Sequence, residues 1–109
     1  MNNDLYELSK RRRSVRKYSK KNIDESLVNE IMKVALMAPT SFGHQAVEFV
    51  IVRNQETIQL LSECKKFGGS QISIANAVIV VMVKTENKKS SEFWIEDGAI
   101  ASSYILLAA

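Results

Sequence analysis

Four residues near the start of the chain have the types and spacing to hold an anion. They are Arg12, Arg13, Ser14 and Arg16, inside the run KRRRSVRKYSKK over residues 10–21. A guanidinium fork can donate two parallel hydrogen bonds to a phosphate, and a serine hydroxyl adds a neutral donor. Each hydrogen bond to a charged group is worth about 1.5–3 kcal/mol, so several together would grip a phosphomonoester. Eight of the twelve residues are Lys or Arg and none is acidic. Charge alone favours plainer readings, a solvated basic surface or an arm laid on nucleic acid, and leaves an acidic membrane surface open.

A second group lies in a polar loop, Pro39-Thr40-Ser41-Phe42-Gly43-His44-Gln45. Small hydroxyls, a glycine and an amide between two regular elements can hydrogen-bond a planar polar ring, and a plain connection accounts for them equally well. His44 is the only histidine and Cys64 the only cysteine. A Cys–His metal set and an internal disulfide are therefore excluded. His44 reads as an exposed loop residue. Cys64, on an apolar-patterned segment, reads as structural rather than reactive. There is no G-x-S-x-G, no Walker loop and no G-x-G-x-x-G. Glu96 and Asp97 sit in an otherwise apolar helix, where they can cap or pair, and no side chain is assigned as catalytic. Trp94 reads as core.

The scaffold that must position these groups is small. The chain has 109 residues, 46% hydrophobic and 25% charged, which bounds it to one soluble globular domain with a modest core. The net charge of +3 hides an asymmetry. Outside residues 10–21 there are seven basic residues against twelve acids, a net of −5. A general nucleic-acid binder spreads its basic residues over a face, so one cluster on an acidic chain points to a compact anion site or a short basic arm. One cysteine and no apolar leader in MNNDLYELSK suggest a reducing, cytoplasmic setting. The longest apolar run, near Ala77–Val83, is too short to span a bilayer.

Element signals are clear. Asp4 opens a short helix over residues 4–12. Asp24 should cap a helix over 24–38, with Ile23 and Val28 as a staple, Leu27, Ile31, Val34, Ala35 and Ala38 on one face, and Pro39 as the stop. Val47–Val52 reads as a strand, 55–66 as a helix broken by Gly68 and Gly69, and 77–83 as a strand buried on both faces. Residues 84–91 form a polar turn, and Ser90 or Ser91 caps a last helix from near Glu92. That helix is apolar nearly all round, so it should be buried on most sides. The ending Leu-Leu-Ala-Ala carries no helix stop signal, so the chain reads as the N-terminal part of a longer one.

The order of these pieces resembles the nitroreductase family. RRSVRKY precedes an acid-capped helix; APTSFGHQ then runs into a strand ending FVIV, IANAVIVV follows, and DGAIASSYILLAA closes the chain. No single motif decides it; four in this order do, from about Leu5 to the last residue. The resemblance implies an α+β fold, a three-layer α/β/α sandwich whose central mixed sheet is covered by helices, here a single nitroreductase-like domain over residues 1–109 with its C-terminal part missing. It implies FMN bound at the interface of an intertwined homodimer. Electrons would pass from NADH or NADPH through the flavin to nitroaromatic or quinone-type acceptors. Arg12, Arg13 and Ser14 would hold the flavin phosphate and ribityl chain, and Arg16 would lie nearer the ring. Pro39, Thr40, Ser41 and Gln45 would reach the flavin bound mainly by the partner, and Gln71 would face the ring. Gly43 stands where the family commonly has Asn, and Ala46-Val47 where it has Pro-Trp. The alternatives from other classes are a small nucleic-acid-binding module using the 10–21 arm and a truncated, non-enzymatic flavin-binding protein.

Overall fold

A computed structural model describes residues 4–86 and 92–109. The order is α1 (Asp4–Arg11), α2 (Glu25–Ala35), a 3-10 turn (Ser41–Gly43), β1 (Val47–Val52), α3 (Gln55–Glu63), α4 (Gly69–Ser73), β2 (Val78–Val83) and α5 (Trp94–Ala108). The strands pair antiparallel, Val47 opposite Val83 and Val52 opposite Val78. Among the described residues the sheet consists of this one pair. Helices α2 and α5 pack on each other, and α5 also lies against the strands.

Helix α2 starts where the sequence places it. Asp24 has extended backbone and its carbonyl accepts from the Leu27 and Val28 amides, but its side chain makes no cap bond. The helix ends three residues earlier than expected. Leu36, Met37 and Ala38 form a tightened last turn, donating to Met32, Val34 and Ala35 carbonyls, because Pro39 bars Ala38 from continuing. The buried stripe is Val28, Met32 and Ala35, with Ile31 half-buried, whereas Leu27 and Val34 are exposed. The expected face was thus rotated by about one residue. The i, i+4 and i+7 set that meets α5 and the sheet runs through Val28, not Leu27. Ile23, Phe49, Ile79 and Ile105 complete this core, so Ile23 does reach the cluster that holds Val28.

Helix α3 is capped by Asn54, whose side-chain oxygen accepts from the Thr57 amide at 3.0 Å. Its inward residue Ile58 is fully buried, worth about 1.5–3 kcal/mol by the apolar area it removes from water. The helix stops at Glu63, and Cys64 is exposed rather than structural. Gly68 takes the left-handed conformation (φ 79°), and the chain then re-enters a short helix, α4, which the sequence reading treated as a break. Gly69 is required there by contact. A Cβ on it would sit 2.1 Å from the Ser62 carbonyl oxygen.

Two burial expectations are corrected. Strand β2 is half-buried along most of its length, with Met82 exposed, because helices cover only part of this sheet. Helix α5 starts at Trp94 and buries only Asp97 and Ala101. Trp94, Ile95, Ile100 and Leu106 are exposed, so Trp94 is not core. The helix is apolar nearly all round, but among the described residues α2 and the two strands are the elements packed most against it, and they leave part of its surface uncovered. The expected Ser90 or Ser91 cap lies outside the described residues.

Candidate functional site

The loop between α2 and β1 is the most tightly specified irregular segment. Thr40 accepts twice: its carbonyl from the Gly43 amide at 3.1 Å and its Oγ1 from the Gln45 amide at 2.9 Å. The His44 amide donates to the Ser41 carbonyl. Three of four residues in the bend have positive φ: Phe42 (54°), Gly43 (66°) and Gln45 (50°). For glycine that costs little; for a residue as bulky as Phe42 it is strain that needs compensation.

The compensation comes from 56 residues away. Asp97 Oδ1 accepts both the Ser41 amide and the Ser41 hydroxyl, each at 2.9 Å. Asp97 is only 1% exposed, and its other oxygen, Oδ2, has no hydrogen-bond partner among the described residues. The residue therefore pairs, one of the two roles open to it in the sequence. The available signal was position. Asp97 falls four residues before Ala101 and eight before Ile105, on the stripe of α5 that packs inward, and an acid on such a stripe needs a partner.

Thr40 and Gln45 line a cavity of about 330 Å³ with Ala35, Leu36, Ala38, Val47, Phe49 and Ala101. Most of its lining residues are apolar, and Thr40 and Gln45 are the two polar ones. Ser41 is turned to Asp97 and Pro39 is exposed beside the loop. His44 differs from expectation: it is half-buried, its ring tilted against Phe42, with Nε2 buried and unpartnered among the described residues.

The basic segment has no regular secondary structure over residues 12–19, and Arg12, Arg13, Ser14 and Arg16 are all exposed. Arg13 Nη1 donates to the Lys10 and Arg12 carbonyls at 2.7 and 2.8 Å. Arg16 Nη1 reaches the Ser14 carbonyl at 3.3 Å. The Arg12 guanidinium has no protein partner among the described residues, and none of the eight cations in residues 10–21 forms an ion pair there. Farther along, the segment is tied down. Asn76 Nδ2 donates to the Lys21 carbonyl at 2.6 Å and Arg53 donates to the Ile23 carbonyl. Val15, Lys17, Tyr18, Ser19 and Lys21 edge a groove of about 390 Å³ beside Ala75–Ala77.

The structure brings Thr40, Ser41 and Gln45 together and keeps Arg12, Arg13, Ser14 and Arg16 together. It does not merge the two groups: no residue of the basic segment lines the Thr40–Gln45 cavity. Gln71 is half-buried on α4, which packs on α3, and lines neither the cavity nor the groove. No three potential metal ligands converge among the described residues. None of the described helices is long and apolar enough to cross a membrane.

Comparison with known proteins gives a consistent result. The sequence matches the nitroreductase family over residues 9–108. It is 34% identical over 106 residues to a protein of Methanothermobacter thermautotrophicus provisionally named NADH dehydrogenase/NAD(P)H nitroreductase, covering 97% of this chain and 55% of that one. It is similar to the solved FMN-dependent nitroreductase of Clostridium difficile R20291, with TM-score 0.84 and 38% identity over 93% of this chain and 57% of that one. A Parabacteroides distasonis structure carrying the same provisional name as the first superposes with TM-score 0.89 and 30% identity, over 99% of this chain and 62% of that one. The chain thus spans about half the length of the curated relatives it matches. The α+β architecture expected from the sequence is the one these structures have. With 100 consecutive residues matched and the fold superposed, the chain belongs to the nitroreductase family.

Proposed function

We propose that this chain supplies the N-terminal half of an FMN-dependent NAD(P)H oxidoreductase that passes electrons to nitroaromatic or quinone-type acceptors. The observation that carries the reading is the Arg12–Arg16 segment: exposed, leading into a stretch that Asn76 and Arg53 hold at Lys21 and Ile23, without acidic partners among the described residues, and lying inside a family match. The donor set fits the cofactor. Arg12 has an uncommitted fork, while Arg13 and Arg16 are tied only to backbone carbonyls that a phosphate can replace. In this reading Arg12, Arg13 and Ser14 hold the FMN phosphate and ribityl chain. Arg16 places positive charge near the ring, and Gln71 is an amide that faces it.

Thr40, Gln45, Ser41 and Pro39 would contact the flavin of a second copy. That separation is supported by the Thr40–Gln45 cavity, which no residue of the Arg12–Arg16 group lines. Bound FMN would supply the two-electron chemistry linking the nicotinamide to the acceptor. The chain's own residues bind, orient and exclude water, and none need transfer a proton. Homodimerisation is part of the proposal, supported by the exposed apolar side of α5. A cytoplasmic setting and a single nitroreductase-like domain over residues 1–109 complete it.

The test is direct. Purified protein should be yellow or take up FMN, and anaerobic NADH or NADPH should bleach it. Colourless protein that FMN cannot reconstitute overturns the reading. Flavin that binds but is not reduced leaves a non-enzymatic flavin-binding protein.

A further inference from the structure

We propose that Asp97 is a positioning residue that locks the Thr40–Gln45 loop in its left-handed bend and so sets the two polar residues of the cavity lining. It acts through Ser41. Both Ser41 donors, the amide and the hydroxyl, converge on Oδ1 at 2.9 Å, so one oxygen fixes the backbone and the rotamer of the residue that starts the bend. Downstream of that point the chain holds positive φ at Phe42, Gly43 and Gln45. Such backbone persists only where its surroundings over-determine it. The bonds within the loop, from Gly43, His44 and Gln45 back to Thr40 and Ser41, close the bend on itself. The Asp97 bonds tie it to the body of the fold, beside the ring contact of Phe42 with Phe93.

Packing does not call for an acid here. One turn later the same stripe of α5 carries Ala101, which is equally buried. An aspartate at 1% exposure with Oδ2 unpartnered among the described residues is a costly choice for filling space. The gain is geometric. Thr40 and Gln45 sit at fixed positions on the cavity wall, and Thr40 Oγ1 is held by the Gln45 amide. The functional part of this inference rests on the proposed flavin reading; the loop geometry does not.

The test uses the full chain and three variants. Asp97→Leu removes the acceptor, Asp97→Asn keeps one acceptor oxygen for both Ser41 donors, and Ser41→Ala removes the hydroxyl while leaving the amide. Hydrogen exchange, followed by mass spectrometry or NMR, should be at least about tenfold faster over residues 41–45 in Asp97→Leu, with β2 unchanged. Asp97→Asn should stay near wild type and Ser41→Ala should fall between. FMN, titrated by its fluorescence, should bind about tenfold more weakly to Asp97→Leu and recover in Asp97→Asn. Exchange that rises equally everywhere, or loop protection unchanged in both Asp97→Leu and Ser41→Ala, overturns the clamp. FMN affinity unchanged in Asp97→Leu overturns its positioning role. If wild-type protein takes up no FMN, the flavin reading fails and the exchange result still decides the clamp. Should Asp97→Leu not fold, the comparison of Ser41→Ala with Asp97→Asn decides it.

Discussion

Replacing Gly69 by alanine should be more damaging than replacing Gly43, although Gly43 has the less ordinary backbone. At Gly69 an added Cβ would lie 2.1 Å from the Ser62 carbonyl oxygen and 3.2 Å from its carbonyl carbon. Contacts under about 3.0 Å are not tolerated, so α4 must back away from α3 by about 1 Å, and the obstacle is backbone that cannot rotate aside. Ser62 is itself buried, one turn after the fully buried Ile58. Overpacking of this kind costs about 1–3 kcal/mol, and with main chain on both sides the upper end applies. At Gly43 the Cβ meets nothing within 4 Å, and only the positive φ is penalised, at about 1–2 kcal/mol. Thermal unfolding followed by circular dichroism gives the comparison. For a domain of this size 1 kcal/mol moves Tm by roughly 4–8 °C, so Gly69→Ala should lower Tm by about 10 °C or more. It should also disturb Gln71, two residues along the same helix. A Gly69→Ala melting point within about 2 °C of wild type would refute the contact argument.

Other outcomes follow from the same structure. Arg12→Ala should weaken FMN retention, since its fork is uncommitted, whereas Arg16→Ala should mainly lower the flavin reduction potential; equal and negligible effects on both would reject the assignment. Phe42→Gly removes left-handed strain from a residue that is 70% exposed, so chemical denaturation should show a gain of about 0.5–1 kcal/mol; a loss would mean that the ring contacts with His44 and Phe93 outweigh the strain. Glu48 lies 2.9 Å from the Lys84 ammonium, and its hydrogen bond and charge push the lysine pKa up from 10.5. Stability from this raised group is fully present below 10.5 and lost as pH rises from there through the raised pKa; the pair is exposed, so Lys84→Met should shift the denaturation midpoint little and 1 M salt should erase even that.

Much of the scaffold was legible because its signals are local. Asp24 and Pro39 bracket α2, and the β-branched runs mark β1 and β2 to within a residue. What the sequence hid depends on partners distant in the chain. Leu27 and Val28 are equally apolar, and only the position of α5 decides that Val28 faces inward. Asp97 reads as a helix-start acid until Ser41 arrives from the other side of the core. Helix α4 has too few residues for a periodic signal, and the two glycines before it look like breakers, although one is the left-handed entry and the other a close contact. The candidate anion segment was legible as charge, but the ties that Asn76 and Arg53 make to Lys21 and Ile23 beyond it were not, since both partners are backbone carbonyls.

The surface left by this arrangement makes a last prediction about association. A two-stranded sheet is marginal by itself in water, and among the described residues both strands have one unpaired edge. Helix α5 exposes Trp94, Ile95, Ile100 and Leu106, and between them lie Ala99 and Ser103, small enough for another backbone to approach. These four side chains are only 38–61% exposed, so covering what remains is worth about 1 kcal/mol each before the cost of association. A second copy of the chain is the occupant that would offer that cover. Folding coupled to dimerisation depends on concentration, by about 1.4 kcal/mol per dimer for each tenfold change. Tm should therefore climb as protein concentration is raised, and sedimentation should show a dimer. Ile95→Glu and Leu106→Glu should lower both the dimer fraction and the concentration dependence. A wild-type Tm independent of concentration, together with a monomeric mass, would refute α5 as the self-association surface.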